Sequence, residues 1–155
     1  MSFLLSAALA QSGPNDLDFW VGDWAMEGRS RTSFEKDEYT DGNCENTIEK
    51  RQDGKVIHEN FRTDGFTGES WSVFQPRTKT WRQTWVDNGG SYLLFEGGKV
   101  DNKVILNMTN APKGVQARMV FSDIKDNSFV WNWEQSRDEG KSWVLMWELR
   151  YKRKS

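Results

Sequence analysis

The stretch "TKTWRQTWVDNGGSYLLFEGG", Thr78–Gly98, decides the fold. It reads as a strand, a Gly-rich turn and a second strand. Strict alternation over the first half puts Trp81, Gln83, Trp85 and Asp87 on one face and Arg82, Thr84 and Val86 on the other. The turn Asn88-Gly89-Gly90 supplies the positive φ that a tight hairpin needs. The tryptophan face is the natural inner face. It therefore carries an amide and a carboxylate inward, and buried polar groups are costly unless paired or wet.

The same grammar repeats along the chain. Asp41-Gly42, Asp53-Gly54, Asp64-Gly65, Gly97-Gly98, Lys113-Gly114 and Glu139-Gly140 separate short runs rich in Val, Ile, Thr and aromatics. These runs predict ten strands, over 24–33, 43–51, 55–63, 68–75, 79–87, 91–97, 103–109, 115–123, 128–136 and 142–152. Only the segment up to about Val21 is compatible with a helix. Ten consecutive hairpin-linked strands would leave two exposed edges in an open sheet, and closure removes them. The expectation is an all-β fold: an antiparallel up-and-down barrel of about ten strands with a short N-terminal helix, spanning residues 16–155 as one domain.

Alternation extends the inner face. Phe129, Trp131 and Trp133 alternate with Val130, Asn132 and Glu134, and Trp143, Leu145, Trp147, Leu149 and Tyr151 alternate with Val144, Met146, Glu148, Arg150 and Lys152. In "KVIHENFR" the set Ile57, Glu59 and Phe61 is the more apolar, which leaves Val56, His58 and Asn60 outside. The interior thus collects Glu59, Trp81, Gln83, Trp85, Trp131, Trp133 and Trp147, which together with Arg118 are the candidate ligand-binding residues. A barrel of this size can hold one small ligand, and polar groups ringed by aromatics suit a small apolar or aromatic molecule. The competing reading is that the rings fill the core, that Asp87 starts its turn, and that Arg118 pairs with Glu59. In an enzymatic alternative, Glu59 or Asp87 with a raised pKa performs cofactor-free isomerase- or cyclase-type acid–base chemistry, and Arg118 or Arg82 stabilises an anion.

Composition narrows the other classes. The chain has 155 residues, 21 Lys and Arg against 23 Asp and Glu, nine Trp, one Cys and one His. The near-neutral balance gives no electrostatic footprint for nucleic acid. A lone Cys44 allows no internal disulfide, and a lone His58 offers little to a metal or a Ser-His pair. No nucleophile elbow, phosphate loop or metal motif occurs. No metal, cofactor, nucleic-acid partner or membrane is expected. Val130, Val144 and Met146 on the outer face are candidates for a homodimer patch. "FLLSAALAQ" near the N-terminus reads as a signal-peptide remnant within residues 1–15, implying a periplasmic or secreted protein, or else as a short helix packed on the domain of a cytoplasmic one. It is too short to span a membrane.

Several motifs resemble a known superfamily. Gly22-Asp23-Trp24 resembles the G-x-W of lipocalins and calycins. Together "FWVGDW" (19–24), "GKVIHENF" (54–61), "TKTWRQTWVDNGGSY" (78–92) and "WEQSRDEGKSW" (133–143) are similar to an uncharacterised lipocalin-like family of small bacterial proteins. The resemblance runs from Asp18 to Arg153. It implies a calycin-type barrel with a central cavity, in which Trp24 closes one end beneath a basic residue of the last strand, Arg150 or Arg153. Related ten-stranded barrels include haem-binding nitrobindins, whose ligating histidine lies near the C-terminal end; this chain has no histidine after His58.

Overall fold

A computed structural model describes residues 12–155. Its strands are β1 Gly22–Arg31, β2 Tyr39–Arg51, β3 Val56–Thr63, β4 Phe66–Gln75, β5 Thr80–Asp87, β6 Tyr92–Val100, β7 Lys103–Met108, β8 Gln116–Ser122, β9 Ser128–Ser136 and β10 Val144–Arg153. Each pairs antiparallel with its sequence neighbour, and β10 pairs with β1 to close the barrel. Ten strands are thus present as the turn spacing predicts, with ends that differ by a few residues. The helix expected up to Val21 reduces to one 3-10 turn, Asp18–Trp20. Of the segment 1–15 read as a signal remnant, residues 1–11, which include FLLSAALAQ, lie outside the described residues. No helix among the described residues is long and apolar enough to cross a membrane.

The inner face follows the predicted alternation over most of the barrel. Ile57, Glu59 and Phe61 are buried on β3, and Trp81 and Gln83 on β5. Residues directly opposite each other in a ladder share a face. Gln83 lies across from Ser72 on one side and Phe95 on the other, and Trp131 lies between Leu149 and Phe121.

Alternation fails in β10. Leu145 pairs with Glu134 and Trp147 pairs with Trp133, so Met146 is an extra residue in a bulge. A bulge inserts one residue and inverts the facing beyond it. Trp147, Leu149 and Tyr151 keep the expected inner face. Leu145 shares the outer face with Glu134 instead, and Trp143 packs outside against Arg118. Val144, expected outside, pairs with Gln135, which in turn faces the buried Ala117.

One end of the barrel is plugged. Trp24 is fully buried, and its indole N–H donates to the Trp20 carbonyl at 2.8 Å. The Arg153 guanidinium lies over the Trp24 ring, 4.2 Å from its centre, and donates to the carbonyls of Val21 (2.9 Å) and Asp126 (3.0 Å). Of the two arginines proposed for this lid, Arg153 serves and Arg150 does not; Arg150 bonds Glu148 on the outside. Gly22 makes the close approach possible: its φ is +142°, and a Cβ there would overlap Arg153. Leu17, Trp20, Phe121 and Phe129 complete the plug. The Gly13 carbonyl accepts from the Trp81 indole at 3.1 Å, tying the N-terminal segment across this end.

Candidate functional site

The other end of the barrel is not filled. A half-enclosed cavity of about 200 Å³ runs inward from the β3–β4 and β5–β6 turns. Phe66, Trp85, Asp87, Leu93 and Trp147 line its mouth. Trp131, Trp133, Phe61, Phe95 and Met119 line its walls, and Trp20, Glu59, Gln83, Leu149 and Tyr151 its inner part. Trp85, Trp131, Trp133 and Trp147 are only partly buried, while the plug tryptophans Trp20 and Trp24 are fully enclosed.

Local sequence explains the placement of the rings. Gly68 lies one rung from Trp85 on the neighbouring strand, and a Cβ there would overlap the Trp85 ring. The missing side chain lets that indole lie against the sheet wall instead of filling the lumen. Trp147 meets Trp131 and Phe61 edge-on, at centroid distances of 5.6 Å and interplanar angles of 88° and 84°. Edge-to-face contact is a preferred aromatic geometry, and it fixes the rings relative to one another.

The polar residues on this inner face divide into two kinds. Glu59 has both carboxyl oxygens bonded, in a network whose Asn46 Oδ1 is itself without a partner among the described residues. Its Oε1 accepts from Asn46 Nδ2 at 2.7 Å and its Oε2 from Ser70 Oγ at 2.5 Å; the same Asn46 nitrogen donates to the Tyr151 hydroxyl at 3.0 Å. Burial raises the Glu59 carboxyl pKa, with the Ser70 and Asn46 donors opposing it. Burial, with the Glu59 charge, also pushes the Tyr151 phenol well above its ordinary range. Asn46 and Ser70, which complete this network, were not singled out in the sequence. Alternation would have placed both inside, but neither residue type advertises a partner.

Gln83 is of the other kind. Its Nε2 donates to Ser72 Oγ at 2.9 Å, and its Oε1 has no hydrogen-bond partner among the described residues. The Trp20 indole N–H, also on the cavity wall, points to the Tyr151 phenol, outside hydrogen-bond geometry.

Asp87 does what a turn-starting Asp does. Oδ1 accepts from the Gly89 and Ser91 amides at 2.9 and 3.1 Å, and Oδ2 from the Trp85 indole at 2.8 Å. Burial pushes its carboxyl up, but these N–H donors outweigh it and hold the pKa below the ordinary value. The raised pKa expected for Asp87 as an acid catalyst is therefore absent, because the hairpin surrounds the charged form with donors.

Arg118 is not in the cavity. It projects from the outer face of β8, bonds Glu134 at 3.1 Å and stacks on Trp143 at 3.9 Å. Alternation within β8 makes this unavoidable once Ala117, Met119 and Phe121 point inward. Arg82 is also outside, beside Glu96. His58 lies on the outer face as expected, bonded to Glu69 at 2.7 Å and stacked on Trp71. Among the described residues, no group of three or more His, Cys, Asp or Glu is arranged to hold a metal ion. Of the candidate ligand-binding residues, Glu59, Gln83, Trp85, Trp131, Trp133 and Trp147 line the cavity, Trp81 is buried behind it, and Arg118 lies outside the barrel.

Fold and cavity together define the class: a closed ten-stranded antiparallel barrel, plugged at one end and open at the other into an aromatic chamber. No family model and no curated protein matches the chain. Among solved structures it is similar to the crystal structure of Rv2717c from M. tuberculosis, with a TM-score of 0.59 and 12% identity over 90% of this chain and 95% of that one. At that identity the likeness concerns the fold.

Proposed function

We propose that this protein is a calycin-like carrier or sensor that takes up a small, largely apolar aromatic molecule at the open end of its barrel. The observation that carries this reading is the contrast between the two ends. At the plugged end Trp20 and Trp24 are fully enclosed, packed edge-to-face on Phe121, Phe129 and Tyr151. Around the cavity Trp85, Trp131, Trp133 and Trp147 instead stand back and leave about 200 Å³ between them. An apolar pocket with a few convergent polar groups is the usual form of a small-molecule site. The plug formed by Trp24 and Arg153, at the place where the calycin resemblance expects it, supports the superfamily reading. Periplasmic or secreted residence is the companion proposal, resting on the N-terminal sequence.

The experiment is native mass spectrometry of the protein purified without denaturation, followed by titration with single-ring and two-ring aromatics. A co-purified small molecule or saturable binding supports the reading. No adduct and no saturation with any aromatic up to millimolar concentration overturns it.

A second reading has one observation behind it: a buried carboxyl whose pKa is raised, Glu59, on the cavity wall. In that reading Glu59 is a general acid or base for an isomerisation or cyclisation of the bound molecule. Both of its oxygens are already engaged by Asn46 and Ser70, so the carrier reading is the better supported. Turnover of a bound compound that Glu59→Gln abolishes while binding persists would reverse that order.

A further inference from the structure

We propose that the cavity selects uncharged one- or two-ring aromatic molecules that carry an N–H or O–H group, and that Gln83 Oε1 receives that group as the specificity-determining contact. This inference rests on the small-molecule reading above and adds the chemical class of the ligand. Three observations define that class.

The first is size and shape. A dry cavity of about 150 Å³ lined by aliphatic and aromatic side chains takes up benzene. This chamber, at about 200 Å³, has room for one substituted ring or a small fused pair. Its walls are indole and phenyl faces held edge to face, which offer flat surfaces to a planar guest.

The second is the state of Gln83. The residue is 4% exposed, so bulk water does not serve it. Its Nε2 donates to Ser72 Oγ at 2.9 Å on the facing strand, which turns the nitrogen towards β4. In this arrangement Oε1 is an acceptor without a donor among the described residues. A buried acceptor of this kind favours a guest that brings a hydrogen. Glu59 does not compete for the role, since Asn46 and Ser70 already satisfy it.

The third is charge. No Lys, Arg or His lines the cavity, and its two ionisable acids are Glu59 and Asp87. A guest carboxylate would enter with no cation to pair it and with the Asp87 charge at the mouth, which is unfavourable. A cation gains little from Asp87, whose oxygens already accept from the Trp85, Gly89 and Ser91 N–H groups. Arg118, the cation that would have welcomed an anion, is committed to Glu134 and Trp143 outside.

Isothermal titration calorimetry of the full chain with four probes tests this: indole, its hydrocarbon analogue indene, indole-2-carboxylate and benzyltrimethylammonium. The expected ranking is indole first, with about tenfold weaker binding of indene, the size of one net hydrogen bond. The carboxylate and the ammonium ion should bind more weakly than indole. Gln83→Met keeps the length of the side chain and removes the acceptor; in it, indole and indene should bind within about twofold of each other. The wild-type ranking is decisive even if that variant fails to fold. Equal binding of indole and indene overturns this inference and leaves the small-molecule reading standing. Tightest binding by either charged probe also overturns it. Absence of binding by all four overturns both.

Discussion

Gln83 and Ser72 face each other directly across β5 and β4, and the glutamine amide donates to the serine hydroxyl at 2.9 Å. That bond tethers the amide by its nitrogen and leaves Oε1 without a donor among the described residues. Removing it should therefore affect both stability and selectivity. In Ser72→Ala the buried Nε2 loses its partner, and the expected loss is about 1–2 kcal/mol in urea denaturation. The preference for indole over indene should shrink with it, because the freed amide can reorient. Unchanged stability together with unchanged preference would show that Ser72 does not orient Gln83.

Glu59 gives a pH signature with a definite sign. Its folded-state pKa is raised above the ordinary 4.5 because burial disfavours the charged form. The native state therefore holds its proton over a range where the unfolded chain has lost it. Stability from this group is full below about pH 4.5 and falls as pH rises towards the folded value. Glu59→Gln keeps the shape and removes the titration. Urea denaturation at several points between pH 4.5 and 8 should show wild type losing stability relative to Glu59→Gln as pH rises. Parallel curves for the two proteins would contradict the raised pKa.

The plug should be separable from the cavity. Arg153→Met keeps a long apolar side chain over Trp24 but loses the cation–π contact and the bonds to the Val21 and Asp126 carbonyls. A loss of about 2–3 kcal/mol is expected from these combined contributions. Probe binding at the other end should stay within about twofold of wild type. A loss below about 0.5 kcal/mol, or a collapse of binding at full occupancy of the folded state, would show that the two ends do not act independently.

Gly68 sets the width of the cavity mouth. Gly68→Ala places a methyl group where the Trp85 ring now lies, so the ring must move inward. Overpacking of this type destabilises by about 1–3 kcal/mol. Two-ring probes should lose more affinity than single-ring ones, because the displaced indole takes up cavity space. Equal losses for both sizes would mean that Trp85 moves away from the lumen instead.

The sequence determined the ladder of this barrel. Turn dipeptides and period-2 runs are local features, and they placed ten strands, the inner faces of β3, β5 and β9, and the tryptophans, Gln83 and Glu59 on those faces. The Trp24 motif and the late arginines were equally legible, since each is a residue type at a strand end. What tertiary structure alone decided are the partners. The bulge at Met146 follows from the closing geometry between β9 and β10, and it carries Leu145 and Trp143 outside against simple alternation. Arg118 was read as a partner for Glu59, but a side chain on the outer face of β8 cannot reach through the sheet, and Glu134 is its direct neighbour across the ladder. Glu59 found Asn46 and Ser70, from strands on either side of it, and Gln83 found only Ser72. Which buried polar atom ends up satisfied depends on cross-strand register summed over several hairpins, and no local stretch encodes that sum.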